Sequence, residues 1–258
     1  MAPLSDKFFR AQITKRVDFS ADLWMIRAGP GGEFQFTAGQ YATLGLETPN
    51  GIIERPYSIV SSPQERELEF FIELVPAGDL TPLLYQVHPG DYVTVRKSAK
   101  GRFTLETKST RNHHLFLSTV TGVAPFVSII RTLFKDWKGG TFHGKDKLFL
   151  IDGASRSWEL GYRSELEKFA EDVPWLTYIP TISRPWEDTD WKGETGRVDD
   201  VIRKYADQWR LHGSNTTAYL CGHPVMIEHV KGILHRHGWG KEAIKEENFF
   251  VAAKSASA

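Results

Sequence analysis

Ala218-Tyr219-Leu220-Cys221 is an uninterrupted apolar run, Gly222-His223 is a turn, and Pro224 opens a stretch in which Val225, Ile227, Val230, Ile233 and Leu234 recur at helical spacing before Gly238. The run suits a strand buried on both faces. The proline suits a helix's first turn, where no N–H is needed, and the glycine suits its end. Strand, turn and amphipathic helix recur upstream in the same order: residues 115–120 lead into 125–137, 147–152 into 163–171, and 176–182 into 198–209. Such alternation implies a parallel sheet covered by helices, a Rossmann-like α/β domain.

Upstream of residue 106 the pattern changes. Short β-rich runs at 9–17, 23–27, 41–46, 57–60, 68–75 and 92–96 are divided by turn clusters such as Gly29-Pro30-Gly31-Gly32 and Thr48-Pro49-Asn50-Gly51. Glycine and asparagine accept positive φ and proline fixes its own, so these clusters need no role beyond turning the chain. Runs of this length and spacing read as an antiparallel barrel or sandwich, and a Greek-key β-barrel is expected. The polar stretch 106–112 separates two expected domains, 1–106 and 107–258.

The 258 residues suffice for two cores. Lys plus Arg number 32 and Asp plus Glu number 32, so no overall charge favours nucleic acid or an anionic membrane, and neither is an expected partner. Cys221 is the one cysteine, which excludes an internal disulfide, a cysteine-ligated iron–sulfur cluster and a cysteine-rich zinc site. His113-His114 and His235-Arg236-His237 lack the companion ligands of a metal site, so no metal is expected. The start, Met1-Ala2-Pro3-Leu4-Ser5-Asp6-Lys7, lacks the basic-then-apolar order of a secretory signal. No stretch approaches the roughly 20 apolar residues of a membrane span, and a cytoplasmic monomer is expected.

Arg55-Pro56-Tyr57-Ser58 joins a permanent cation, an aromatic face and a hydroxyl on one short strand. The cation's fork suits a phosphate, the face suits stacking on a ring, and the hydroxyl suits a ring nitrogen. Alone, the four residues read equally well as an edge strand with a solvated arginine and a core tyrosine. Together with Gly78-Asp79-Leu80-Thr81, the loop at 118–125, the arginines at 156, 184 and 197 and the segment that starts at Cys221, they resemble the ferredoxin-NADP reductase family, especially its compact bacterial branch. The resemblance covers nearly the whole chain. It implies a first domain holding FAD and a second holding NADP(H). Arg55 would then bind the FAD pyrophosphate, Tyr57 would stack on the flavin, and Ser58 would approach its N5. Phe71, Ile72, Glu73 and Leu74 would line the flavin through their backbone, and Gly78-Asp79-Leu80-Thr81 would hold the pyrophosphate at a helix start, with Pro82 at the first position.

In the second domain, Ser118-Thr119-Val120-Thr121-Gly122-Val123-Ala124-Pro125 is similar to the family's Thr-Gly-Thr-Gly-x-Ala-Pro loop, placing Thr121, Gly122 and Pro125 at the dinucleotide. Val120 stands where the usual first glycine would, although a β-branched residue does not freely take positive φ. Arg156, Arg184 and Arg197 fall where NADP-selective bacterial members keep arginines. A guanidinium fork meets a 2′-phosphate, which NAD lacks, so NADPH is expected over NADH. Cys221-Gly222-His223-Pro224-Val225-Met226 is similar to the family's Cys-Gly-x-Pro-x-Met segment. It puts Cys221, Gly222, Pro224 and Met226 beside the nicotinamide, with Cys221 positioning the ring rather than attacking it. Phe250-Val251, with Lys254, is similar to the branch's final strand, after which a tail folds over the flavin.

The expected reaction is hydride transfer between NADP(H) and FAD around Ser58, Tyr57 and Cys221, in either physiological direction. Single electrons are exchanged with ferredoxin or flavodoxin. Lys97, Lys100 and Arg102 are loose candidates for docking such acidic carriers. The alternatives are a reductase component of an oxygenase system, a reductase of free flavins or ferric complexes, or a regulatory module that keeps both domains without turnover.

Overall fold

The computed structural model describes residues 6–248. Strands β1 (Phe8–Asp18), β2 (Leu23–Gly29), β3 (Tyr41–Thr48), β4 (Gly51–Ser58), β5 (Leu68–Glu73) and β6 (Tyr92–Arg96) form an antiparallel sheet in the order β4-β3-β6-β1-β2-β5, with a short helix α1 (Thr81–Leu84) between β5 and β6. Its ends meet: Ile59 bridges to Phe70, and the Val60 N–H donates to the Glu69 carbonyl at 2.8 Å, curling the sheet into a barrel. Ile13, Trp24, Ile26, Leu44, Phe70 and Ile72 fill it. Strand β4 starts earlier than the apolar run at 57–60 suggests and ends at Ser58. Its register with β3, from Thr48 opposite Gly51 to Tyr41 opposite Ser58, carries exposed Arg55 along in the ladder. Cross-strand pairing overrides the weak local pattern.

The second sheet comprises β7 (His113–Thr119), β8 (Lys147–Ala154), β9 (Leu176–Ile182), β10 (Glu194–Thr195), β11 (Thr216–Gly222) and β12 (Ile244–Asn248), all parallel, in the order β10-β9-β8-β7-β11-β12. Helices α2 (Ala124–Lys138) and α3 (Arg163–Asp172) cover one face through Phe126, Ile130 and Leu166. Helices α4 (Val198–Gln208) and α5 (Pro224–Arg236) cover the other through Val201, Ile202, Ile227 and Val230. The last described strand is Ile244–Asn248, which the sequence pattern did not mark, and the final strand expected from Phe250-Val251 and Lys254 lies outside the described residues. Strand order reverses between β7 and β11, and in such sheets the crevice beyond the strands' carboxyl ends at this point is where ligands bind. Among the described residues no helix is long and apolar enough to cross a membrane.

A band of polar contacts joins the two sheets. Glu69, on β5, is fully buried, and its carboxylate accepts from Arg27 Nε of β2 at 2.6 Å and from Tyr162 Oη, just before α3, at 2.8 Å. Arg131 of α2 lies 3.1 Å from the same carboxylate and grips both oxygens of Glu165 of α3 through Nε and Nη2, at 2.7 and 2.8 Å. Burial alone would push the Glu69 carboxyl up, but Arg131, Tyr162 and Arg27 together hold it below the ordinary carboxylate range. Along the same helix Ser128 Oγ donates to the Ser61 carbonyl at 2.7 Å, Thr132 Oγ1 to Ser62 Oγ at 3.0 Å, and Asp136 accepts from Gln64 at 2.7 Å. The barrel segment that follows Ser58 is therefore strapped to the helix that follows the 120–123 turn.

Arg131→Met should leave buried Glu69 short of one cation and destabilise the protein by about 3 kcal/mol. Scanning calorimetry should show the melting transition broadening or splitting as the sheets uncouple, with Glu69→Gln recovering part of the loss in the double variant. An unchanged, single transition in Arg131→Met would show that the strap does not couple the two sheets.

Candidate functional site

The carboxyl ends of β7 and β11 face the end of β4. The pairing of β11 with β12 sets Glu247 opposite Cys221, and Ser58 Oγ donates to Glu247 Oε1 at 3.1 Å across the boundary between the sheets. Ser58 is buried, and Cys221 is fully buried. Burial raises the Glu247 carboxyl above its ordinary range, opposed by the Ser58 bond, and burial, helped by the Glu247 charge, pushes the Cys221 thiol well up. A thiol so held stays protonated, which suits a positioning role and not attack. Gly101, at φ +102°, closes the other side: a Cβ there would stand 3.0 Å from the Tyr41 ring and 3.6 Å from Glu247 Oε2. Residues from both sheets thus converge on one carboxylate. Glu247 carried no mark in the sequence, sitting in the polar run Lys245-Glu246-Glu247, and only strand register selects it.

The turns at the switch point interlock. A Cβ on Gly122 would stand 2.3 Å from the Cys221 carbonyl, and one on Gly222 would stand 2.3 Å from Thr119 Oγ1. That same hydroxyl accepts from the His223 N–H at 2.8 Å. Between them Val120 takes φ +48°, a conformation that its branched side chain resists. The expectation that valine would keep the backbone out of this region is thus corrected: surrounding packing imposes it. Thr121 and Gly122 lie in the tight turn that this backbone opens, Pro125 lies in the first turn of α2, and Pro224 begins α5. Met226 is buried in the core that α5 shares with α4.

On the barrel side, Arg55 is half exposed and pairs with Asp79 at 2.7 Å, in front of the start of α1. Thr81 is the first residue of α1, and its hydroxyl does not cap the helix. It accepts from the Val75 N–H at 2.9 Å and donates to the Val75 carbonyl at 3.1 Å, folding 75–81 into a closed turn with Gly78 inside and Leu80 buried beneath. Tyr57 packs edge-on to Phe70, and burial raises its hydroxyl. Phe71 packs against Phe19 and Tyr162, Ile72 fills the barrel, Glu73 is exposed at the strand end, and the Leu74 N–H donates to the Asp22 carbonyl.

Arg156 and Arg184 are brought together after β8 and β9, where the Ser183 and Arg184 N–H groups donate to the Ala154 and Ser155 carbonyls at 3.0 Å. Arg197 precedes α4, its backbone N–H capped by Asp200 at 2.9 Å. Sequence reading missed Glu187, which stands between Arg156 and Arg184. An exposed cation before a helix start, glycines where a Cβ would clash, and a desolvated carboxyl bonded to a serine fit a flavin and a dinucleotide.

A barrel and a Rossmann-type sheet whose reactive edges meet in this way define a flavin- and nicotinamide-dependent oxidoreductase. The family model for an oxidoreductase FAD-binding domain matches residues 10–105, and that for an oxidoreductase NAD-binding domain matches 116–232. A ferredoxin–NADP reductase of Pseudomonas aeruginosa is 31% identical over 218 residues, 79% of this chain and 80% of that one. The ferredoxin–NAD(P)(+) reductase component of a Pseudomonas putida naphthalene 1,2-dioxygenase system is 31% identical over 89% of this chain and 65% of its own length. A Neisseria gonorrhoeae ferredoxin NADP+ reductase crystallised with FAD and NADP shares the fold at TM-score 0.83 and 24% identity, covering 95% of this chain and all of that one. The chain belongs to the bacterial ferredoxin-NADP reductase family, with an FAD-binding and an NAD-binding oxidoreductase domain.

Beside the switch point, Asp152 of β8 is buried, accepting from Ser118 Oγ at 2.7 Å and Tyr178 Oη at 3.3 Å, and burial raises it to about 7 against both bonds. The folded state therefore keeps this proton where the unfolded chain, with an ordinary carboxyl, releases it near pH 4. Stability falls as pH rises from about 4 to about 7, and the cost is complete above that. Asp152→Asn should gain up to about 4 kcal/mol at pH 8 and little at pH 4 in denaturant titrations. Equal gains at both pH values would refute a protonated Asp152.

Proposed function

We propose that the protein carries hydride from NADPH to a flavin held by the barrel domain, 1–106, with the nicotinamide brought by the domain at 107–258. The electrons then pass singly to ferredoxin or flavodoxin. Bound FAD supplies the step from paired to single electrons, so that NADPH and two oxidised carriers give NADP+, two reduced carriers and a proton. The observation that carries this reading is the meeting of Ser58, Glu247 and Cys221 at one point between the sheets.

The chain's own residues divide the work. Arg55, with the turn 78–81 and the start of α1, retains the FAD pyrophosphate, and Tyr57 offers its ring as a stacking face. Ser58 Oγ is bonded to Glu247 Oε1, whose raised affinity for a proton would make the pair a route for delivering or removing one at the hydride-accepting edge of a bound flavin. Cys221, buried and protonated, fixes where the nicotinamide rests. The turn at 120–123 and Gly222 hold the dinucleotide pyrophosphate, and Arg156, Arg184 and Arg197 meet the 2′-phosphate. Glu247 and Ser58 come from different domains, so proton delivery depends on the strap through Glu69 and Arg131. A cytoplasmic monomer is the form we expect to act.

The test is anaerobic titration of the yellow holoprotein with NADPH, which should bleach the flavin, followed by ferredoxin or flavodoxin, which should restore the colour. A protein that NADPH does not bleach would end the reading. Recovery with free flavin or ferric chelates but not with either carrier would favour the alternative reductases. Arg55→Ala should weaken FAD retention by about tenfold or more with the fold intact by circular dichroism. Full flavin content in that variant would remove Arg55 from the site.

A further inference from the structure

The arginines assigned to the 2′-phosphate already hold carboxylates. Arg156 Nε donates to Glu187 Oε2 at 2.6 Å, and its Nη2 also pairs with that oxygen, while Nη1 donates to Glu159 Oε1 at 3.0 Å. Arg184 Nη1 stands 3.7 Å from Glu187 Oε1. One glutamate side chain therefore faces both guanidinium groups, much as the oxygens of a phosphate would. With Glu159 it balances the two positive charges, and Asp188, accepting from the Ser157 N–H at 3.1 Å, adds a further negative charge at the rim. Glu159 is committed to the loop backbone, accepting from the Ser155 N–H at 2.8 Å, so Glu187 is the carboxylate free to turn away. Beside it Trp186 is 71% exposed, an apolar ring suited to stacking on a base, which would set the attached ribose over Glu187.

A 2′-phosphate reaching these arginines must displace Glu187 and bring its own charge among the neighbouring carboxylates, so it gains less than two bare arginines would give. A ribose without the phosphate meets the opposite situation. Glu187, left in place, can accept from its 2′-hydroxyl, which is the means by which acidic residues read NAD. We propose that Glu187 is a specificity-determining residue that competes with the 2′-phosphate for Arg156 and Arg184 and makes NADH a second hydride donor for this enzyme. The chemistry is unchanged: the nicotinamide gives up the same hydride, NADH becoming NAD+, and the two electrons leave on two oxidised one-electron carriers with release of a proton. Only recognition at the adenosine end differs.

This inference rests on the reading that Arg156 and Arg184 face the 2′-phosphate, and its test separates the two. The kcat/KM values for NADPH and NADH are measured on the holoenzyme for wild type, Glu187→Gln and Arg184→Ala, and adenosine 2′,5′-bisphosphate and AMP are titrated into each by calorimetry. Wild type should turn over both nucleotides. Glu187→Gln should raise the NADPH/NADH ratio about tenfold and tighten bisphosphate by a similar factor while AMP weakens. Arg184→Ala should lower the ratio. If Arg184→Ala lowers it but Glu187→Gln changes neither the ratio nor bisphosphate binding, the role of Glu187 is overturned and the arginine reading stands. If Arg184→Ala leaves the ratio unchanged, both fall. No turnover of NADH by wild type overturns the inference alone.

Discussion

One buried carboxylate, Glu69, ties the catalytic geometry together. It lies on the barrel's edge strand, yet two of its three hydrogen-bonding or ionic partners, Arg131 and Tyr162, belong to the nucleotide-binding half. A buried ion pair is a poor source of net stability, because desolvating both charges offsets most of their attraction. It is nevertheless intolerant of misalignment, since any shift strands a charge away from water. Apolar faces can slide by a fraction of a turn at little cost, whereas this cluster permits one docking. That suits an enzyme whose reacting groups are divided between two sheets. Ser58 closes β4, three residues before Ser61, which α2 grips, and Cys221 is the penultimate residue of β11, against the turn from which α2 begins.

The fold was largely legible in the sequence because both periodicities were strong. Strand–turn–helix units gave the parallel sheet, and short runs between glycine-rich turns gave the barrel. Strand β12 went unread because an edge strand facing solvent carries lysine and glutamate, as Ile244-Lys245-Glu246-Glu247 does, and shows no apolar alternation to find. The boundaries of β4 slipped for a related reason, since pairing with β3 and not its own composition holds Arg55 in the ladder.

Site residues divided in the same way. Those with a local signature, such as Arg55-Pro56-Tyr57-Ser58 and Cys221-Gly222, were visible as motifs, and the structure brings their elements to one edge. Glu247, Glu69, Arg131 and Glu187 were invisible because each acts on a group remote in the chain. Ser58 and Glu247 are 189 positions apart, and Tyr162 reaches Glu69 across 93. A charged residue in a polar stretch reads as solvated until topology supplies its partner. The arginines were legible only as cations: their carboxylate partners Glu159 and Glu187, which balance the charge of Arg156 and Arg184, carry no mark in the sequence.

Val120 shows how such a site holds its shape. A valine at φ +48° carries strain on the order of 1–3 kcal/mol and persists only where its surroundings leave no alternative. Here the constraint is steric and comes from both sides. Gly122 lies so close to the Cys221 carbonyl that even a methyl group is excluded, and Gly222 presses as tightly on Thr119. Relaxing Val120 would move the 120–123 turn away from β11 and open the seam between the two turns that frame the crevice. The backbone angle that a glycine would adopt freely is thus enforced by neighbouring glycines, and the precision of the turn belongs to the interlock rather than to the residue at position 120. The departure at Val120 therefore leaves the shape of the cradle intact and concentrates its cost in local stability, while Gly122 and Gly222 are the positions where a side chain would disrupt it.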